Sequence, residues 1–201
     1  MIAIIDYDAG NLRSVEKALQ HLNQETIITR DKNIILNSDK VILPGVGSFG
    51  VAMDKLHSYD LVETIREVVE MKKPLLGICL GLQLLYESSE ESEGVCGLGI
   101  LEGTICKIPD CVGLKIPHIG WNSLEIKQGA KLYKGIENGS HVYFVHSFYL
   151  KATNIEEVAA TTEYSTIIHA SVEKDNIYAC QFHPEKSGEI GLNILMNFAS
   201  L

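Results

Sequence analysis

The chain has 201 residues, is 46% hydrophobic and carries a net charge of −9 at pH 7. We expect residues 1–201 to form one globular domain, because this length and hydrophobic content support a single sizeable core. The acidic charge and the absence of a basic run argue against a nucleic-acid partner, since phosphate binding needs clustered lysine and arginine.

The N-terminal stretch MIAIIDYDAG does not resemble a signal peptide, because it has no basic region and two aspartates interrupt it. No apolar run approaches the roughly 20 residues that a membrane span needs. Five cysteines without a C-x-x-C pair suit free thiols, so we expect a cytoplasmic protein. No metal or other cofactor is predicted, since the spacing of Cys96, Cys106, Cys111 and His118 matches no zinc pattern.

Up to about residue 93, short apolar strands alternate with amphipathic helices. Strands are predicted at MIAIIDY, ETIIT, KVILP and PLLGI, and helices at GNLRSVEKALQHL, SFGVAMDKLH, LVETIREVVEM and LGLQLLYESSEE. This alternation predicts right-handed crossovers and a mostly parallel sheet. Asn11 is the expected N-cap of the first helix. The acidic residues between 87 and 93 are interpreted as a solvated helix end.

After residue 93 the pattern changes to strands joined by short turns, with little helix until the closing segment GEIGLNILMNFASL. Residues 174–176 are interpreted as a hairpin turn. The sequence therefore predicts an α/β fold, with a mostly parallel central sheet, helices on both faces and an antiparallel β extension.

The segment PLLGICLGLQLLYE contains the strongest candidate nucleophile. It is a strand, then Gly77-Ile78-Cys79-Leu80-Gly81, then a helix, which is the layout of a nucleophile elbow. Such a tight turn needs small flanking residues, and it presents the central side chain and the next backbone N–H at the edge of the sheet. A thiol also gains nucleophilicity from an adjacent base.

The candidate base is His183 in CQFHPEKSG, where Pro184 ends a predicted strand. Glu185 follows two residues later and is suited to orient the imidazole. Cys79, His183 and Glu185 thus satisfy the logic of a catalytic triad, which needs a nucleophile, a base and a group that orients the base.

The segment VILPGVGSFG contains a G-x-G-x-x-G spacing, which in other proteins marks a dinucleotide-binding turn. That fingerprint belongs after the first strand and is followed about 20 residues later by an acidic residue that ends the next strand. Here the motif follows a later strand, and the corresponding stretch, TIREVVEM, is predicted to be helical. Dinucleotide binding is therefore not expected.

GICLGLQLL together with the distant QFHPEKSG resembles the class I (triad) glutamine amidotransferases. Within them, DYDAGNLRSV, LPGVGSFG, PHIGWN and YFVHSFY resemble the amidotransferase subunits of imidazole glycerol phosphate synthases, in collinear order over essentially the whole chain. The resemblance implies a flavodoxin-like three-layer fold and hydrolysis of glutamine through a cysteinyl thioester. It also implies a (β/α)8 cyclase partner that uses the ammonia to make imidazole glycerol phosphate and aminoimidazole carboxamide ribotide in histidine biosynthesis.

The resemblance also implies roles for further residues. Val46, Gly47 and Leu80 would supply backbone N–H groups to an oxyanion. The implied glutamine-binding residues are Gln83, Glu91, His146 and Ser147. The implied contacts with the partner are Asn11, Trp121, Asn122, Tyr143 and Lys186.

Three other functions remain open at this point. The chain could serve another synthase, of the pyridoxal phosphate or anthranilate type, although Val46-Gly47-Ser48-Phe49 favours the histidine pathway. It could be a catalytically silent scaffold, against which the complete triad argues. It could be a cysteine protease or another hydrolase of similar fold, against which Gln83 and the FHPE context argue.

Overall fold

The computed structural model describes all 201 residues. The strands are β1 Ile2–Ile5, β2 Thr26–Thr29, β3 Lys40–Gly45, β4 Leu75–Cys79, β5 Ser88–Ser89, β6 Gly103–Lys107, β7 His118–Ser123, β8 Glu125–Ile126, β9 His141–His146, β10 Phe148–Ala152, β11 Val158–Tyr164, β12 Thr166–Lys174 and β13 Ile177–Cys180. The helices are α1 Leu12–His21, α2 Lys32–Asn37, α3 Phe49–Ser58, α4 Leu61–Glu70, α5 Leu80–Leu84 and α6 Gly188–Ala199, and short 3₁₀ turns lie at Lys131–Tyr133, Ile155–Glu157 and Pro184–Lys186.

The central sheet has eight strands in the order β2-β1-β3-β4-β13-β12-β11-β8. The first five are parallel, and β12, β11 and β8 extend the sheet in antiparallel fashion. The order of the parallel strands is the flavodoxin-like one, in which ligands bind beyond the carboxyl ends of the strands. The predicted fold class is confirmed. Two smaller sheets, β10-β6-β5 and β7-β9, complete the structure.

Side chains of the parallel strands alternate between two hydrophobic cores, as the period of two in a strand requires. In β1, for example, Ala3 and Ile5 face one core, whereas Ile2 and Ile4 face the other. Helices α2, α3 and α4 contribute to the first core, and α1 and α6 contribute to the second. Helices therefore cover both faces of the sheet, as predicted. None of the helices has the length and apolar character needed to cross a membrane.

Two local expectations were wrong, and one helix was missed. The helix predicted over LGLQLLYESSEE ends at Leu84, because the carbonyls of Leu84 and Leu85 accept hydrogen bonds from residues 98–101 instead of continuing the helix. The acidic segment 87–93 is consequently not a helix end. Helix α2 was missed, although Asp31 caps it by accepting from the backbone N–H groups of the second and third residues after it.

The side chain of Asn11 also departs from expectation. Asn11 does precede α1, but it adopts a left-handed conformation and its side chain makes no capping bond. Its side-chain amide instead contacts Glu185, near the C-terminal end of the sequence, as described below.

Candidate active site

Cys79 lies at the junction between β4 and α5, in a backbone conformation that side chains rarely adopt. Its φ is 55° and its ψ is −110°, and such backbone strain is found mainly at functional sites. The flanking glycines make the turn sterically possible. A Cβ on Gly81 would lie 1.8 Å from the carbonyl oxygen of Leu43, and one on Gly77 would lie 2.9 Å from the backbone of Gly81. The turn therefore has the geometry that the sequence predicts for a nucleophile elbow.

His183 and Glu185 form the rest of the predicted constellation. The Nδ1 atom of His183 is 2.8 Å from Oε1 of Glu185, and both side chains are almost fully buried. The other ring nitrogen, Nε2, is buried and makes no hydrogen bond within the chain. His183 and Cys79 line one pocket, so a thiol, an imidazole and a buried carboxylate come together there.

The position of His183 is fixed by backbone contacts with β9. Its N–H donates to the carbonyl oxygen of Tyr143 at 3.0 Å, and its own carbonyl accepts from the Ser187 hydroxyl at 2.7 Å. The Ser187 oxygen accepts in turn from the N–H of Tyr143. Burial opposes the charged imidazole, but the neighbouring Cys79 and Glu185 outweigh it and raise the pKa of His183 to about 9. These two neighbours therefore favour the protonated imidazole.

Asn11 extends this constellation. Its Nδ2 donates to Oε1 of Glu185 at 2.6 Å, across a separation of 174 residues in the sequence. The carboxylate oxygen that accepts from His183 thus accepts from Asn11 as well. Sequence reasoning missed this contact, because nothing in the local pattern around residue 11 reports what its side chain meets.

The pocket around Cys79 has a volume of about 290 Å³ and includes every residue predicted to bind glutamine or an oxyanion. Those residues are Val46, Gly47, Leu80, Gln83, Glu91, His146 and Ser147. Gly47 has a φ of 101°, which favours glycine. At Gly45 a side chain is excluded by lack of space, since a Cβ there would lie 2.4 Å from the hydroxyl of Tyr7. A larger groove beside Tyr133 and the end of α6 shares no lining residue with this pocket.

Gln83 offers the pocket an acceptor only. Its Nε2 donates both to the carbonyl of Phe148 at 3.1 Å and to Oε1 of Gln181 at 3.0 Å. An amide nitrogen has two hydrogens, so both are used and only Oε1 of Gln83 remains for a ligand.

Glu91 holds the start of α3 as well as lining the pocket. Its Oε2 accepts from the N–H of Phe49 at 2.7 Å, and Ser92 accepts from the next N–H, that of Gly50. These bonds satisfy N–H groups that the first turn of a helix leaves free. Because α3 begins directly after the Val46-Gly47 loop, the segment around Glu91 anchors one end of that loop.

His146 has no free ring nitrogen. Its Nδ1 lies 2.9 Å from the carbonyl of Phe148, and its Nε2 lies 3.0 Å from Nδ1 of His118. A carbonyl only accepts, so His146 donates from Nδ1 and accepts at Nε2 from His118. Burial lowers the pKa of His146 to about 3 and that of His118 to about 4. Both rings are therefore neutral near pH 7, and His146 forms a wall of the pocket.

The residues predicted to contact a partner lie outside the pocket. Trp121 is 55% exposed and packs edge-on against Tyr143, and its neighbour on β7, Ile119, is 60% exposed. Lys186 is exposed and makes no salt bridge. The side-chain amide of Asn122 donates to the carbonyl of Glu163. Asn11 is half-buried and already engaged by Glu185.

Comparison with known proteins identifies the class that this fold and site define. A family model described as glutamine amidotransferase class-I matches residues 3–200. The chain belongs to the class I glutamine amidotransferase family.

The chain is also similar to individual proteins over nearly its whole length. A Bacillus mycoides (strain KBAB4) protein called imidazole glycerol phosphate synthase subunit HisH is 54% identical, over 98% of this chain and 93% of its own length. A Bacillus cereus (strain G9842) protein of the same name is 52% identical with the same coverage. Among solved structures, a glutamine amidotransferase has a TM-score of 0.76 at 21% identity, covering 99% of this chain and 100% of that one. PurLQS from Thermotoga maritima has a TM-score of 0.72 at 20% identity, covering 99% and 97%. These two structures share the fold.

Proposed function

We propose that the chain is a glutaminase that hydrolyses L-glutamine to glutamate and ammonia with Cys79, His183 and Glu185 as its catalytic triad. The observation that carries this proposal is the elbow cysteine in one pocket with an imidazole whose other nitrogen is bonded to a buried carboxylate. That arrangement supplies a nucleophile, a proton carrier and a group that orients the carrier.

Each residue of the proposed triad takes part in a defined step of the reaction. The Cys79 sulfur attacks the side-chain amide carbon of glutamine, and the electron pair of the C=O bond moves to oxygen. Backbone N–H groups of Val46, Gly47 and Leu80 are the proposed donors to that oxyanion. When the tetrahedral intermediate collapses, the C–N bond breaks and Nε2 of His183 gives its proton to the departing nitrogen, which leaves as ammonia.

The second half of the cycle releases the enzyme. Water attacks the thioester carbon while Nε2 of His183 accepts a proton from it. The C–S bond then breaks, glutamate leaves, and the sulfur and the imidazolium return to their starting state. Glu185 remains hydrogen-bonded to Nδ1 throughout, so the ring keeps Nε2 toward the reacting atoms.

The particular role we propose is that of the glutaminase subunit of an imidazole glycerol phosphate synthase. Identity of 52–54% over 98% of the chain with proteins so named supports it. The ammonia would pass to a (β/α)8 cyclase bound over Trp121, Asn122, Tyr143, Lys186 and the Asn11 loop. The exposed apolar side chains of β7 support a contact surface there, since large exposed apolar patches mark interaction sites. Five free cysteines favour a reducing compartment, so we propose the cytoplasm.

The test uses the chain in complex with the cyclase. Cys79→Ala should abolish glutamine hydrolysis and glutamine-dependent cyclisation, because no thioester forms. Cyclisation from ammonium salts should persist, since the substituted side chain is small and lies away from the proposed interface. Substantial glutamine hydrolysis by the variant would show that Cys79 is not the nucleophile. Ammonia transfer to an acceptor of the pyridoxal phosphate or anthranilate type, and not to the cyclase, would overturn the assignment to this synthase.

A further inference from the structure

Gln181 is a buried side chain next to the nucleophile to which the sequence assigned no role. It is fully buried in the loop that leaves β13, two residues before His183. Its Nε2 lies 3.7 Å from the Cys79 sulfur, close enough for an N–H to donate to it. The backbone N–H of Gln181 donates to the carbonyl of Ala170, which fixes its main chain.

The direction of this hydrogen bond follows from a chain of contacts that begins at a backbone carbonyl. The two ends of an amide are alike in shape, so their orientation is set by their partners. The carbonyl of Phe148 only accepts, so it selects the nitrogen of Gln83 at 3.1 Å. That nitrogen selects the oxygen of Gln181 at 3.0 Å. The nitrogen of Gln181 is then left facing the sulfur.

We propose that Gln181 is a positioning residue for glutamine hydrolysis, whose amide donates a hydrogen bond to the Cys79 sulfur and favours the thiolate. Hydrogen bonds are stronger when the acceptor is charged, and the buried setting strengthens them further. The sulfur is anionic twice in the proposed cycle, before it attacks the amide and again when it leaves the thioester. The donor is therefore strongest at these two stages and weaker while the sulfur is bound to carbon.

Gln83 links this donor to the substrate pocket. Its nitrogen orients Gln181, and its oxygen is free toward the pocket. A ligand hydrogen bond to that oxygen would polarise the same chain of amides that ends at the sulfur. The inference rests on the proposed function only where turnover is measured, because reactivity of the thiol can be measured without glutamine.

The experiment uses the complex with the cyclase and a background in which Cys96, Cys106 and Cys111 are replaced by serine. These three cysteines are exposed or half-buried, whereas Cys180 is buried. The rate at which iodoacetamide alkylates Cys79 is followed against pH for Gln181→Met, which removes the amide at similar length. The midpoint should move up by about one pH unit, and kcat should fall about tenfold with KM within twofold.

Gln181→Leu is the second variant. It also removes the amide and leaves an uncharged side chain, so it should shift the alkylation profile in the same direction. Ser171→Ala is the matched control. It removes another buried polar group, on the neighbouring strand β12, which donates to Ala179 and does not contact the sulfur. Its alkylation profile and kcat should stay within twofold of the parent.

Two outcomes would overturn the inference. An unchanged alkylation profile in Gln181→Met would show that the sulfur does not depend on this donor. A rise in KM alone would mean that Gln181 only supports Gln83 in binding glutamine. If Gln181→Met fails to sustain cyclisation from ammonium salts, its fold or complex is damaged and the Gln181→Leu profile decides. A shifted profile without any glutaminase activity in the parent would leave the donor established and reject the proposed function instead.

Discussion

At the scale of single residues, we expect His183 and Glu185 to make separable contributions to glutamine hydrolysis. His183→Ala removes the only proton carrier and should approach the loss seen in Cys79→Ala. Glu185→Gln keeps an oxygen that accepts from Nδ1 and should lose less, because only charge and orientation suffer. Losses in the double variant should be smaller than the sum, since triad members act as a unit. Equal or reversed losses in glutamate release by the two single variants would contradict the assigned roles.

Asn11 provides a second test at this scale. In Asn11→Leu the carboxylate of Glu185 loses its donor at 2.6 Å. Hydrogen bonds to charged groups contribute about 1.5–3 kcal/mol, so kcat should fall by roughly ten-fold or more, with KM changed little. The control is Arg13→Ala, in the first turn of α1, whose side chain is exposed and pairs only with Glu16. If cyclase binding weakens in Asn11→Leu while kcat in the saturated complex is unchanged, Asn11 serves only the interface.

At the scale of elements, one histidine on each of the paired strands β7 and β9 should make the free energy of unfolding depend on pH. His118 and His146 have pKa values of about 4 and 3 in the folded chain, against an ordinary value near 6.5. Between pH 6.5 and about 4 the unfolded chain therefore binds more protons than the folded one. The free energy of unfolding should fall as pH falls through this window.

The size of this effect can be measured by urea unfolding at pH 7 and pH 5. Each histidine should account for about 2 kcal/mol of the loss. His118→Phe, whose ring can still stack between Phe144 and Tyr164, should lose about 2 kcal/mol less than the parent over the same interval. His183 is common to both proteins and cancels in the difference. Identical losses in the two proteins would show that His118 does not titrate as the structure indicates.

The elements also show where sequence reasoning succeeds. The β4–α5 elbow was predictable because its determinants are local, a strand, a cysteine between small residues and a helix. The capped helix α2 was missed, although the aspartate at position 31 is a local sign of it. The early end of α5 was not predictable, because it depends on hydrogen bonds from residues 98–101 to the carbonyls of Leu84 and Leu85.

At the scale of the whole molecule, we expect the cyclase to control the glutaminase. Ammonia released into water wastes glutamine, so the isolated chain should be poorly active. Glutamate release should rise at least tenfold, mainly in kcat, when cyclase and its nucleotide are both present. The loop at Val46-Gly47 is the expected point of control, because loss of one oxyanion donor costs about 10²–10³ in rate.

Val46→Pro tests that control, because proline removes the N–H and constrains the loop. It should blunt the activation while leaving cyclase binding largely intact. Val46→Ala is the matched control, which keeps the N–H and should be activated like the parent. Full activity of the isolated parent chain would contradict this model and would make the loop a permanent oxyanion hole.

The contacts that sequence reasoning could not supply are those between distant parts of the chain. The mostly parallel sheet was predicted from the alternating patterns, and the triad was predicted from two separate motifs. The bond from Asn11 to Glu185 and the bond from Gln181 to Cys79 join residues 174 and 102 positions apart. The packing of the whole sheet determines which of these residues meet, and the local sequence around each residue does not indicate it.

The place of β13 in the sheet has a consequence for synthesis on the ribosome. This strand lies between β4 and β12, although it follows β4 by about a hundred residues. During translation, the edge of β4 that pairs with β13 therefore stays unpaired until β13 has been made. Until then Cys79 has neither His183 nor Gln181 beside it. Truncated or nascent chains that end before residue 181 have the thiol but neither Gln181 nor His183. Under the proposed function, such incomplete chains should therefore release no ammonia from glutamine.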